Sequence, residues 1–497
     1  MVSKRVTLIA LIILLVSGLW FVFAPTEEDA SWSPAQFRDQ PHEVRDLQLL
    51  EGETVQVFRG KVSVPEVRSK HNSRAIQIGY AVVEGAPGSG DIPVVLLAGG
   101  PGGSHIRSLD RHWVKERIAL FRQIGDVIMV DLRGIHTSQP GFELSGIDDP
   151  WRAIHSHGDM LTMLKDVGVA GRASLEKDGF DVDGYVITEA AADVVDVADH
   201  LNYPRINLQG TSFGSHFTFA VVRGFPERVN RFMVTGVEGY DHTFDDGVAV
   251  RAAVAQIAEE AKGVWSQSHG FPDPLTAFED LLVRSKSDPE HAFGFAPNEL
   301  ELVFLNGSML GFDYGLSSRE GMQTWPQDVA AILEGEGSGR LPLIRRLGGF
   351  FVGREPSDAA VGLFDCSSWI SDRRAQQLRD TAPPHFPDNL QTMEAMCSGW
   401  NVPRLPEAFQ LGETSAVPGL FVHGTYDVST PYQNALETLP FFPNAHLVTV
   451  KGGSHNVLSE MLEASPEFST HVQDWFNGGD PPADFSLPPL SFVPLTP

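Results

Sequence analysis

Of 497 residues only two are cysteine, and 37 are lysine or arginine against 64 aspartate or glutamate; each scarcity excludes something. Two cysteines cannot build a disulfide scaffold, and no Cys/His grouping has the spacing of a zinc site. A Walker loop and a dinucleotide fingerprint are likewise missing, so neither a metal nor a cofactor is expected. The shortage of cations leaves a formal charge of -27. Such a charge repels phosphate backbones and anionic lipid surfaces, which excludes nucleic acid as a partner. Internal repeats and low-complexity tracts are absent too, so solenoid and tail-like readings fall away.

What is present starts at the amino terminus. Lys4 and Arg5 precede an uncharged run, "VTLIALIILLVSGLWFVFA", at residues 6–24. As a helix it spans about 28 Å, close to the roughly 30 Å hydrocarbon core of a bilayer. The positive flank stays cytoplasmic, so the bulk of the chain is expected to be exported, to the periplasm or the cell exterior. Residues 1–25 are either a membrane anchor or a removed signal peptide; Pro25, a poor residue just after a cleavage point, favours the anchor. Export permits Cys366 and Cys397 to pair, closing a loop worth on the order of 3 kcal/mol. Two unconnected buried thiols are the alternative.

With 42% hydrophobic residues the chain is ample for a large core. "TVQVFRGKVSVPE" (54–66) and "RAIQIGYAVVEG" (74–85) alternate apolar and polar residues around a turn, and predict an antiparallel hairpin. Short apolar runs bounded by glycine then recur at 94–100, 126–132, 205–210, 231–236, 419–424 and 446–453, with amphipathic helical patterns at 187–201 and 215–229 between them. The alternation predicts an α/β protein with a doubly wound, mostly parallel sheet and right-handed crossovers, whose site lies at the carboxyl ends of the strands. It stops after Gly236 and resumes near Val417. The stretch between is too long for a loop and is expected to be an inserted, mainly helical cap. The divisions are 50–240 for the first part of the core, 241–411 for the cap, and 412–497 for the second part with a proline-rich strap. Nothing in the sequence specifies an oligomeric state.

"LQGTSFGSHF" puts Gly-Thr-Ser-Phe-Gly between a predicted strand and a helix. A chain with 48 glycines meets such a pattern by chance, so context has to carry the argument. A serine hydroxyl is a weak nucleophile at neutral pH and needs a base, an orienting acid and donors for the oxyanion. Ser212 sits at the sharp turn, Asp427 three residues past one strand and His455 three residues past the next. Ser, acid, His is the chain order of the α/β-hydrolase fold. His446 opens its strand at the wrong end, His471 lies in the final helix, and Glu437 falls mid-helix. "LLAGGPGGSH" brings bare backbone to the end of another strand; the N–H of Gly102 or Gly103, with that of Phe213, is expected to form the oxyanion hole. A serine at position 212 excludes dehalogenase or epoxide hydrolase chemistry, which needs an acidic nucleophile.

These motifs together resemble one family. "GGPGGS", "DVIMVDLRGIHTS", "GTSFGS", "FPERVNRFMVTG", "HGTYDVSTP" and "GGSH" are similar to the prolyl aminopeptidase and tripeptidyl aminopeptidase branch of α/β-hydrolases over residues 50–490. The paired cysteines and the phenylalanine-bearing tail look like its tripeptidyl-type members. The resemblance implies a serine peptidase that removes residues from the amino end of peptides, with carboxylates holding the substrate ammonium group. Glu238 is the candidate for that role, with Asp241 close by. Ala98 and His136 depart from the family pattern, and Asp131 and Arg133 are expected to form a structural ion pair. Two other readings remain: a carboxylesterase or lipase-like enzyme acting on small esters, and a non-catalytic binding module that has kept the fold.

Overall fold

Among the described residues ten strands form one sheet: β1 (Glu43–Gln48), β2 (Thr54–Pro65), β3 (Ala75–Val83), β4 (Val94–Leu97), β5 (Val127–Val130), β6 (Ile206–Ser212), β7 (Val229–Val237), β8 (Gly419–Gly424), β9 (Ala445–Lys451) and β10 (Phe485–Ser486). Their spatial order is β1-β2-β3-β5-β4-β6-β7-β8-β9-β10. The computed structural model describes residues 43–50, 52–144, 157–265, 270–287, 316–334, 359–383 and 389–494. The run at 6–24 lies outside them. Among the described residues no helix is long and apolar enough to cross a membrane.

The expected hairpin is present: β2 and β3 pair antiparallel from Val57↔Val83 to Pro65↔Ala75. β3 joins β5 antiparallel, and every later pairing from β5 to β10 is parallel. The continuous apolar runs have the predicted cause. Val94, Leu96, Leu420 and Val422 enter one buried cluster with Val114 and Ile118 of α1 (His112–Phe121). Their neighbours Val95, Leu97 and Phe421 alternate to the opposite face and are equally buried. There α2 (His157–Lys177), α3 (Ile187–His200) and α4 (Phe213–Gly224) follow in the chain. Phe219 of α4 stacks at 5.8 Å on Phe421.

Between β7 and β8 the described residues hold helices and no strand: α5 (Gly247–Ala261), α6 (Pro274–Ser287), α7 (Arg319–Leu333), α8 (Asp372–Thr381) and α9 (Asn389–Trp400). α5, α6 and α7 share an apolar cluster built on Val254, Ile257, Phe278 and Trp325, which also takes in Tyr426 and Val428 on either side of Asp427. The Arg319 guanidinium donates to the carbonyl oxygens of Gly452 and Pro488. α9 turns the other way and crosses α2, where a Cβ on Gly399 would stand 2.0 Å from the Lys165 carbonyl oxygen. Only glycine permits that approach. Cys366 and Cys397 are bridged, with Cα atoms 5.3 Å apart, which suits an oxidising periplasmic or extracellular setting.

The last three helices, α10 (Tyr432–Thr438), α11 (Val457–Ala464) and α12 (Pro466–Phe476), return the chain to the sheet. The strap then lies along β9, contributing β10, and the Leu490 N–H donates to Glu260 at 3.0 Å. Replacing Cys397 by Ser is expected to lower stability by about 2–4 kcal/mol. The check is the urea midpoint with and without reductant: reductant should weaken the parent chain and leave the variant unmoved.

Candidate active site

Ser212 closes β6 and precedes α4 with φ 61° and ψ -133°, a conformation that costs a side-chain-bearing residue about 1–3 kcal/mol. Two glycines make this turn possible. A Cβ on Gly210 would lie 2.0 Å from the Gly214 carbonyl oxygen, and one on Gly214 would lie 2.3 Å from that of Leu97. The buried Ser215 locks the turn, donating its hydroxyl to the Ser212 carbonyl at 2.6 Å and accepting the Glu238 N–H at 2.8 Å. The loop after β4 touches the same spot: a Cβ on Gly99 would sit 3.1 Å from that of Ser212. Within that loop the Gly103 N–H donates back to the Gly99 carbonyl at 3.0 Å.

Asp427 is fully buried just beyond β8. Its Oδ1 accepts the N–H groups of Ser429 at 2.9 Å and Thr430 at 2.8 Å, and Oδ2 accepts the Thr430 hydroxyl at 2.9 Å. His455 Nδ1 lies 2.9 Å from Oδ2 and 3.1 Å from Oδ1. Burial pushes the Asp427 carboxyl up, but the charge and hydrogen bond of His455, with the Thr430 N–H, outweigh it and hold it below the usual range. His423 is itself buried and neutral, its basicity lowered chiefly by burial. Its Nε2 accepts the Val237 N–H at 3.0 Å, which leaves Nδ1 to donate to Gly424 at 3.1 Å.

The His455 ring rests on the end of β7, where a Cβ on Gly236 would come within 2.8 Å of Cε1. The next residue, Val237, is the register partner of Ser212. Ser212, Asp427 and His455 therefore lie at or just beyond the carboxyl ends of β6, β8 and β9, with the end of β7 between the serine and the imidazole ring. With Nδ1 turned to Asp427, Nε2 is the basic nitrogen. Glu437 is engaged elsewhere: the His242 hydrogen bond foremost, with Gln433 and Arg374, pulls it down to about 2.

Glu238 follows β7 with one carboxylate oxygen buried and without a hydrogen-bond partner among the described residues. Burial above all, then the charges of Asp365 and Asp245, raises its carboxyl well above the ordinary range. Asp365 is raised by burial and by Asp245. The three form an acidic group, drawn from the end of β7 and from the stretch between β7 and β8. Asp241 does not join it, since its oxygens accept from the Ser371 N–H and hydroxyl, both at 2.6 Å. Arg133 has the expected structural ion-pair role, with Asp193 and not Asp131 as its partner. Arg133 grips Asp193 with two bonds of 2.7 and 2.8 Å, and Asp131 accepts from Thr137.

Ser215, Thr430, His423, Asp245 and Asp365 were not singled out from sequence. Thr430 and His423 stood in the quoted motif beside Asp427; the two aspartates carry no local signal.

A mostly parallel sheet with a serine at a strained strand-to-helix turn, followed in the chain by a paired Asp and His at later strand ends, is the arrangement of the α/β-hydrolase fold. A family profile described as TAP-like protein matches residues 382–486, a segment that holds Asp427 and His455. No curated protein matches the chain. Among solved structures it is similar to an esterase from Thermogutta terrifontis, at 13% identity over 84% of this chain and 98% of that one, with a TM-score of 0.36. A bromoperoxidase from Bacillus anthracis shares 15% identity over 84% and 99%, with a TM-score of 0.37. An epoxide hydrolase from Vigna radiata shares 16% over 84% and 98%, with a TM-score of 0.35.

The depressed carboxyl of Asp427 predicts a pH effect. The unfolded chain takes up that proton more readily, so the stabilisation is complete above the ordinary aspartate value of about 3.9 and is lost as the pH falls towards the lower native value. Urea midpoints between pH 3 and 7 should show a shallower acid limb in Asp427→Asn.

Proposed function

We propose that the protein is an exported serine hydrolase that works through an acyl-enzyme, with peptides bearing a free amino terminus as its substrates. The pairing of His455 with Asp427 on the strand end beside Ser212 carries this reading. His455 Nε2 takes the hydroxyl proton of Ser212 as its oxygen attacks the substrate carbonyl. The resulting oxyanion is met by the Phe213 N–H at the start of α4 and by the loop N–H of Gly102, that of Gly103 being engaged with Gly99. His455 returns the proton to the leaving amine, water attacks the ester, and the acid departs. Asp427 holds the imidazole tautomer and its transient positive charge.

The acidic group supports the choice of substrate. Glu238, joined to Ser212 through Ser215, has an unsatisfied buried oxygen, and the charges of Asp365 and Asp245 oppose its ionisation. An ammonium group entering there supplies the missing donor and relieves the repulsion. The chain is placed outside the cytoplasm, where the Cys366–Cys397 bridge persists, with residues 6–24 as its targeting segment or tether. An esterase acting on small esters is the second reading, because the Ser, His and Asp geometry serves an ester as well as an amide.

Ser212→Ala should lower turnover by about 10⁴-fold or more and abolish fluorophosphonate labelling without moving the thermal midpoint by more than a few degrees. Wild-type rates in that variant would refute the assignment. Glu238→Gln should raise KM for a free-amine peptide amide by roughly tenfold or more, while leaving a small ester unaffected. KM for the free-amine substrate should also fall as pH rises through the elevated Glu238 range, because only the ionised group pairs with ammonium. If acetylated and free-amine peptides are cut alike, the aminopeptidase reading fails and the esterase reading stands.

A further inference from the structure

His112 and Glu116 stand one turn apart on α1, and Glu463 reaches the same place from α11. One ligand atom from each lies within 4.8 Å of the others; among the described residues this is the only such trio of His, Cys, Asp or Glu. His112 Nε2 is 3.3 Å from a Glu116 oxygen. Two ligands at about 2.1 Å from one tetrahedral ion are separated by about 3.4 Å, so this pair already has the required spacing. Glu463 is exposed and has rotamer freedom to close the remainder.

Glu116 supplies the independent observation. Its side chain is only 8% exposed, yet Oε2 is buried without a hydrogen-bond partner among the described residues. A carboxylate oxygen withdrawn from water in this way is costly unless something positive meets it. The neighbouring Arg117 senses the Glu116 charge, but its guanidinium is directed to the Thr211 hydroxyl at 3.4 Å and over the Trp113 ring at 4.8 Å. One imidazole with two carboxylates suits zinc better than magnesium or calcium, which take oxygen ligands alone. A divalent ion also neutralises the two carboxylates.

We propose that His112, Glu116 and Glu463 form a structural zinc site, completed by water, that joins α1 to α11. The helices it joins matter. α1 follows the glycine loop that touches Ser212, and α11 begins two residues beyond His455. The site thus ties together the two segments that carry opposite sides of the active centre, and it stands whether the substrate is a peptide or an ester.

The test uses the full chain stripped with chelator, then titrated calorimetrically with zinc chloride and spectroscopically with cobalt(II), with magnesium as control. One equivalent of zinc is expected to bind with a Kd of about 1 µM or tighter and to raise the thermal midpoint, while magnesium does neither. His112→Ala and Glu463→Gln alter exposed side chains and should each weaken zinc by about tenfold or more with the metal-free midpoint unchanged. Failure of zinc to saturate one site, or an affinity in both variants equal to that of the parent chain, would overturn the proposal. Diffuse binding of several ions to the acidic surface, indifferent to these residues, would overturn it equally.

Discussion

A carboxylate that stays ionised in a dry place is the constraint on which this site rests. Asp427 is fully buried, so the fold surrounds it with two backbone N–H groups, a threonine hydroxyl and an imidazole N–H. Those partners dictate the rest. The turn 427–430 has to curl back on its own first residue, Gly236 has to lack a side chain so that the ring can settle, and His423 has to remain neutral beneath. The insertion closes over the same point, with Tyr426 and Val428 buried in its apolar cluster on either side of the acid. A low-dielectric surrounding makes the His455 pairing strong, and it makes any loss of a partner expensive.

Strain and close approach recur at Ser212. The unfavourable φ of Ser212 is maintained by contacts on three sides: glycines 210 and 214 beneath, Gly99 alongside, and Ser215 bonded to the Ser212 carbonyl. Ser215 also holds the Glu238 N–H, so the turn that exposes the hydroxyl and the backbone that bears the acidic group are positioned by one buried side chain. Phe213 faces inward and meets Phe364 of the insertion at 6.2 Å. His216 binds Ser368 at 3.1 Å, and burial above all lowers its basicity to about 4, so it stays neutral. The helix that follows Ser212 is thereby docked on the disulfide-bearing segment.

Much of this was legible in the chain because it is written locally. Glycine-bounded apolar runs announced the inner strands, and the expected breaks at Gly210 and Gly214 coincide with backbone contacts that admit no Cβ. The outermost strands were missed for a physical reason: β1 reads "EVRDLQ" and is mostly exposed, and β10 is two residues long. α2 was hidden by Gly168 and Gly171, which argue against a helix in isolation but let Met396 and Trp400 of α9 come close. Arg133 found Asp193 across 60 residues, where spacing offered the nearby Asp131. The acidic group and the His112 trio are tertiary facts. Their members are unremarkable charged residues until the sheet order brings them together.

The order in which the parts occur along the chain has a consequence for biosynthesis. The strained serine belongs to the amino-terminal half, whereas β8 and β9, which deliver the acid and the base, are added to β7 only after the whole helical insertion has been made. Parallel pairing of Phe232 with Gly419 closes a very long loop, whose entropic cost grows only logarithmically with its length. A nascent chain therefore carries Ser212 long before Asp427 and His455 join the sheet. The three come together only when β8 and β9 are added.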